Sequence, residues 1–122
     1  MEFRIVSYLT EAGRSPVREY LEGIEREDER FEAAVAEAID RMRDSHYHRR
    51  PFSESVGDGL FTIRATGHRQ SRIFFYYRRG RRIILLHGFT KTTQQLPRKE
   101  IEIARRRMRD HMRRFPDEQR GR

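Results

Sequence analysis

Hydrophobic and polar positions divide the chain into segments of two periods. Residues 3–9, Phe-Arg-Ile-Val-Ser-Tyr-Leu, alternate in part and predict a short strand. After a turn, Ser15-Pro16 opens a helix: the serine hydroxyl can accept from an orphan N–H, and proline suits the first helical position. Val17, Tyr20, Leu21 and Ile24 follow at helical spacing, with a break expected near Gly23 or Glu27-Asp28. A second helix is predicted over residues 28–44, with the stripe Phe31, Val35, Ala38, Ile39 and Met42. Residues 45–59, SHYHRRPFSESVGDG, sustain no period and read as a linker. Residues 60–65 predict a strand, entered from the Gly57-Asp58-Gly59 turn. Two apolar runs, 73–77 and 83–89, flank Arg78-Arg79-Gly80-Arg81-Arg82, and glycine in a short polar spacer between such runs marks a β-hairpin. Pro97 opens a last helix, with Ile101, Ala104, Met108 and Met112 at i, i+3, i+7 and i+11. Residues 115–122 read as a frayed, disordered basic tail.

The order is therefore β-α-α-β-β-β-α, an α+β fold in one domain over residues 1–114. Short turns make the last three strands an antiparallel meander. The first strand is expected at an edge. Ile83-Ile84-Leu85-Leu86 lacks polar alternation, so that strand is expected to be central and covered on both faces. The two helices pair as a hairpin over one face.

Composition changes this picture in one respect. Hydrophobic residues make up 35% of the chain and charged residues 38%, which implies a compact core under a heavily charged surface. The net charge of +8 is unevenly spread. Residues 1–46 hold seven Arg/Lys against twelve Asp/Glu, and residues 47–122 hold twenty against seven. An acidic half joined to a strongly basic half points to a polyanion-binding face, with nucleic acid or a ribonucleoprotein as partner; a merely solvated surface is the plainer reading. No apolar stretch is long enough for a membrane span. Charges at Glu2 and Arg4 interrupt any signal-peptide pattern, and the absence of cysteine fits a reducing cytoplasm.

The segments SPVREYLEGI, GDGLFTIR, RIFFYY and IILLHGFTKTTQQLPRKEIEIARRRM, in this order, resemble the RelE/ParE superfamily of toxins, and most closely its phage-derived, HigB-like branch. The resemblance runs from about Phe3 to Met108, and LLHGFTKTTQQLP is its most specific part. It implies a small RelE-like fold and a toxin of a type II toxin–antitoxin module, held inactive by a cognate antitoxin of helix-turn-helix type. The RelE and HigB branches cut mRNA on the ribosome, which implies a ribosome-dependent, metal-independent endoribonuclease that inhibits translation. The ParE branch instead inhibits DNA gyrase by binding it, and that alternative stays open. Phe61-Thr62 stands where the branch has Trp-Glu, and Thr92 where a second lysine is common.

Metal-free RNA cleavage must remove the 2′-OH proton, stabilise a pentacoordinate phosphorane and protonate the leaving 5′-oxygen. Arginine suits the second task, because its planar, permanently charged fork matches phosphate oxygens. Arg64 ends one strand and Arg72 begins the next, so antiparallel pairing brings them together, and Lys91 follows the last strand at the same sheet end. These three are candidate catalytic residues; the resemblance marks Arg72 and Lys91 independently. A lysine whose pKa is lowered by neighbouring arginines can act as general acid or base. A free imidazole titrates near neutrality, which makes His87 a further candidate, although its apolar surroundings equally read as core. Arg49, Arg50, Thr92, Thr93, Arg105 and Arg109 are candidate RNA contacts. One tyrosine of Phe74-Phe75-Tyr76-Tyr77 is expected to be exposed for stacking on a base. His46 and His48 lack a third ligand at fitting spacing, so no metal and no cofactor is assigned. The turn arginines 78, 79, 81 and 82 fall at the opposite end of the strands and are assigned to docking or solvation.

Overall fold

A computed structural model describes residues 2–116. The elements are β1 (Arg4–Ser7), α1 (Pro16–Glu27), α2 (Glu29–Arg41), β2 (Ser53–Gly57), β3 (Leu60–Thr66), β4 (Gln70–Arg78), β5 (Arg82–Lys91) and α3 (Arg98–Arg114). The strands form one sheet in the order β1-β5-β4-β3-β2. β2 to β5 are an antiparallel meander, and β1 lies parallel to β5 at the edge. The α+β class, the meander and the edge position of the first strand are as the sequence predicts; β5, expected at the centre, lies second in the order, and β4 takes the centre.

The stretch read as a linker over residues 45–59 is corrected: it contains β2. Ser53-Glu54-Ser55 offers no apolar face, and its pairing with β3 rests on backbone hydrogen bonds. The Ser53 hydroxyl is buried and donates to the Tyr47 carbonyl at 3.0 Å. The two helices meet at Asp28, which ends α1 through its N–H to Ile24 O (2.7 Å) and starts α2 by accepting from Phe31 N–H (3.0 Å).

Both sheet faces are covered. Phe31 and Val35 of α2 and Val17 of α1 pack on Ile63, Ile73, Phe75, Ile83 and Leu85. On the other face Ala104 and Met108 of α3 pack on Leu60, Phe74, Tyr76, Ile84 and Leu86. Each fully buried side chain of this size contributes about 1.5–3 kcal/mol. The last helical stripe departs from expectation: Met112 is 41% exposed, and His111 is buried in its place, 2.7 Å from the Tyr76 hydroxyl. No aromatic of residues 74–77 is exposed, since Phe74, Phe75 and Tyr76 are buried and Tyr77 is half-buried. Phe115 is held, its N–H donating to His111 O at 2.9 Å. From residue 117 the expected tail lies outside the described residues.

A β-bulge in β5 fixes which side chains share a face. Phe74 pairs with His87 and Phe75 with Leu85, so Leu86 is the extra residue. Simple alternation from Ile84 and Leu86 would point Gly88 and Thr90 at α3. The bulge reverses this. Gly88 and Thr90 meet Tyr20 of α1, while His87 reaches α3 and Phe89 joins the α3-side core. Lys91, two residues past Phe89, is thereby turned to the α3 side.

Candidate active site

Arg64, Arg72 and Lys91 line one cleft of about 340 Å³, together with Glu54, Thr62 and Gln70. Gln94 and Leu96, from the loop between β5 and α3, close one side. The sheet register sets this arrangement. Glu54 pairs with Thr62 across β2 and β3, Arg64 with Arg72 across β3 and β4, and Gln70 with Lys91 across β4 and β5. Each strand contributes from its α3-facing side.

Arg72 is the most enclosed of the cations, only 6% exposed. Its guanidinium donates to Ser71 O at 3.0 Å and lies 3.4 Å from Gln70 Oε1. Burial, and then the neighbouring Arg64 charge, push its pKa below the usual arginine value; Glu54 acts in the opposite direction. Arg64 carries a buried Nε without a hydrogen-bond partner. A buried donor left unmade costs about 1–3 kcal/mol. Two arginines side by side, under-compensated and facing a cleft, form a site that an anion would relieve.

Lys91 donates from Nζ to the carbonyls of Thr93 (2.5 Å) and Gln94 (2.6 Å). These bonds fix both the ammonium and the loop that shapes the cleft. Glu54 is the carboxylate of the lining, and its Oε1 pairs with Arg50 Nε at 3.1 Å. The Arg50 side chain is 81% exposed, so this pair is weak, worth about 0–1 kcal/mol. Glu54 escapes sequence reasoning because β2 does; no periodic signal marks it.

His87 stands apart from the lining. Its Nε2 lies 2.6 Å from Glu100 Oε1, and its Nδ1 lies 3.0 Å from Arg107 Nη1. Arginine can only donate, so Nδ1 accepts and the ring proton sits on Nε2, directed at Glu100. Burial lowers the His87 pKa, partly opposed by the Glu100 hydrogen bond. A neutral ring with both nitrogens engaged ties β5 to α3. Arg107 completes the tie by donating to Leu86 O at 3.1 Å.

Of the candidate RNA contacts, Arg50 borders the cleft through Glu54. Arg49 is exposed in the preceding turn, where its carbonyl accepts from Phe52 and Ser53 N–H. Thr92 and Thr93 are exposed in the loop after β5, and the Thr93 hydroxyl donates to Gln95 O at 2.8 Å. Arg105 is engaged within the molecule: it donates to Val56 O and Gly57 O, each at 3.3 Å, and lies 3.6 Å from Asp58. Arg109 is exposed on α3 and does not line the cleft. His48 donates from Nε2 to the Met42 carbonyl (2.7 Å) and packs on Phe3. The Arg78–Arg82 pair closes the far end of the β4–β5 hairpin.

Among the described residues no helix is long and apolar enough to cross a membrane. No curated protein matches the chain. Residues 22–109, which run from α1 to α3 and include every lining residue of the cleft, match the family described as phage-derived Gp49-like proteins (DUF891). The match spans more than half of the chain, which therefore belongs to the Gp49-like family, a RelE-like group of toxin-like proteins.

Proposed function

We propose that this chain is the toxin of a type II toxin–antitoxin module, of the HigB-like kind, and that it cleaves mRNA on the ribosome. The observation that carries this reading is the convergence of Arg64, Arg72 and Lys91 with one carboxylate, Glu54, in a single cleft. In the proposed reaction Arg72 and Arg64 hold the non-bridging oxygens of the scissile phosphate. Their charge opposes the negative charge that builds on the phosphorane. Glu54 accepts the proton of the ribose 2′-OH, whose oxygen attacks phosphorus. The bond from phosphorus to the 5′-oxygen breaks, and the Lys91 ammonium supplies the proton that the leaving oxygen takes. The products are a 2′,3′-cyclic phosphate and a 5′-hydroxyl. His87, with both nitrogens engaged, is assigned to holding α3 in place rather than to proton transfer. An antitoxin of helix-turn-helix type that covers the cationic face would keep the protein inactive, with charge complementarity speeding association.

Inducing the chain alone and mapping both mRNA ends and DNA breaks tests the proposal. New mRNA 5′ ends that disappear in Arg72→Gln and Lys91→Ala variants are the expected result. DNA breaks and an SOS response with intact transcripts would replace it with gyrase inhibition.

A further inference from the structure

The cleft continues past Lys91. Gln70, Lys91 and Gln94 line it on one side and on the other line a second cavity of about 540 Å³. This cavity lies between the β3–β4 turn, which gives His68 and Arg69, and the loop after β5. Its volume falls within the roughly 300–1,000 Å³ of sites that take small ligands. Thr90 of its lining is held from behind: it meets the Tyr20 hydroxyl at 2.9 Å, which also meets Ser71 at 2.8 Å. Its cation is fixed too, since the Arg69 guanidinium lies over the Phe31 ring, 4.7 Å from the centroid.

The charge of Arg69 is only loosely matched. The nearby carboxylate is Asp28, at 3.8 Å. Both Asp28 oxygens already have closer partners: Oδ2 meets His68 Nε2 at 2.8 Å, and Oδ1 accepts from Phe31 N–H at 3.0 Å. Arg69 therefore stands as a positioned guanidinium with capacity for an anion. Lys91 is shared by both cavities, so cations run in sequence from Arg64 and Arg72 through Lys91 to Arg69. A chain of regularly spaced phosphates fits such a row. Side-chain amides at Gln70 and Gln94 add groups that can hydrogen-bond base edges. Those edges are open in a single strand and hidden from side chains in the deep, narrow major groove of an RNA duplex.

We propose that the second cavity is a subsite for the nucleotide next to the scissile phosphate of single-stranded RNA. Arg69 holds its phosphate, and Gln70 and Gln94 contact its base. This rests on reading the first cavity as the cleavage site. The test uses the full chain and a 2′-O-methyl hexaribonucleotide, which cannot be cleaved, with binding followed by fluorescence anisotropy across a salt series. Arg69→Gln is expected to weaken binding about fivefold and to lower the slope of log affinity against log salt by about 0.7, one single-strand phosphate contact. Gln94→Ala is expected to leave the slope unchanged and to relax base preference at one position beside the mapped mRNA cuts. Circular dichroism of both variants controls for folding. Equal slopes together with unchanged base preference overturn the subsite, as does failure of the wild type to bind the oligonucleotide. If binding depends on Arg69 but no mRNA is cut, the cavity binds RNA but the nuclease reading falls, and with it the place of the subsite beside a scissile phosphate. If mRNA is cut with no effect of either variant, the reverse holds.

Discussion

Replacing Arg72 by methionine is expected to abolish RNA cleavage while raising the stability of the fold. The side chain is 6% exposed and sits beside Arg64 in register. Paired antiparallel Cα atoms lie about 4.5–5.5 Å apart, and both side chains enter the same cleft, so a charge separation of about 7 Å is reasonable. At an effective dielectric of about 20, suited to a cleft open to water, the repulsion is about 2 kcal/mol. Desolvation of the guanidinium adds to it, since burial is the first cause of its lowered pKa. Against this stands the charged hydrogen bond to Ser71 O, worth about 1.5–3 kcal/mol. Methionine keeps the aliphatic volume of the arginine stem and removes the charge. The balance favours the variant by about 1 kcal/mol, a rise of about 3–5 °C in Tm for a chain of this size. Urea titration gives the comparison directly as a shift in midpoint at constant slope. Arg109→Met, an exposed arginine outside the cleft, is the control and should stay within about 0.5 kcal/mol. A loss of more than about 1 kcal/mol in the Arg72 variant would refute the reasoning, because the buried charge would then be a structural anchor. Retained cleavage would remove Arg72 from the site.

Three further outcomes are expected. Gly88→Ala gains about 0.5–1 kcal/mol of backbone entropy, but its Cβ would stand 2.6 Å from Tyr20 Cδ2 and 2.7 Å from Ile73 Cδ1. Overpacking of about 1–3 kcal/mol wins, so the midpoint of denaturation falls, and a Tyr20→Ala background should absorb most of the loss. His111, its pKa lowered to about 4 by burial and by the charges of Arg78, Arg114 and Arg82, stays neutral in the fold while the unfolded chain protonates. Its contribution is present above about pH 6.5 and lost as pH falls to about 4, so stability should drop by about 3 kcal/mol across that window, and His111→Asn should flatten that part of the profile. Glu54→Gln should cut the cleavage rate by about 10²–10⁴ with unfolding midpoint and oligonucleotide binding little changed, and equal loss of binding and rate would deny it a proton-transfer role.

Much of the fold was legible because its signals are local. Ser15-Pro16 caps a helix that forms, Asp28 breaks the hairpin at the second of the two expected places while Gly23 stays inside α1, and Gly80 between two apolar runs turns β4 into β5. Two misreadings have a common cause, which is that tertiary partners replaced the expected apolar side chains. β2 holds to the sheet by its backbone and by Arg105 donating to Val56 and Gly57 carbonyls, so its sequence needs no hydrophobic alternation. On α3 the stripe from Met108 ends at His111 rather than Met112, because the Tyr76 hydroxyl gives a buried imidazole a hydrogen bond that methionine cannot use.

The site depends on those misreadings and on one further feature. Arg64 and Arg72 could be placed together from sequence, because a short turn between antiparallel strands fixes their register. Glu54 could not, because its strand was invisible. Lys91 reaches the cleft through the Leu86 bulge, which no pattern of apolar residues announces: Ile83-Ile84-Leu85-Leu86 reads the same with or without it. The bulge has a physical rationale in the residues it re-aims. It puts Gly88, the one residue small enough to lie under the Tyr20 ring, on the α1 side, and it puts His87 against Glu100 and Arg107 on the α3 side. Restoring simple alternation would drive the His87 ring into the apolar α1 side and turn the Lys91 ammonium away from Arg72. The contacts of Tyr20 and of the His87–Glu100–Arg107 group thus hold a strand irregularity whose visible result is the third cation of the cleft. Substitutions at Tyr20 or Glu100, neither of which lines the cleft, are accordingly expected to reduce cleavage through Lys91, with a lower rate and an unchanged Arg72-dependent affinity for the non-cleavable oligonucleotide. A rate equal to wild type in both would separate the bulge from the chemistry.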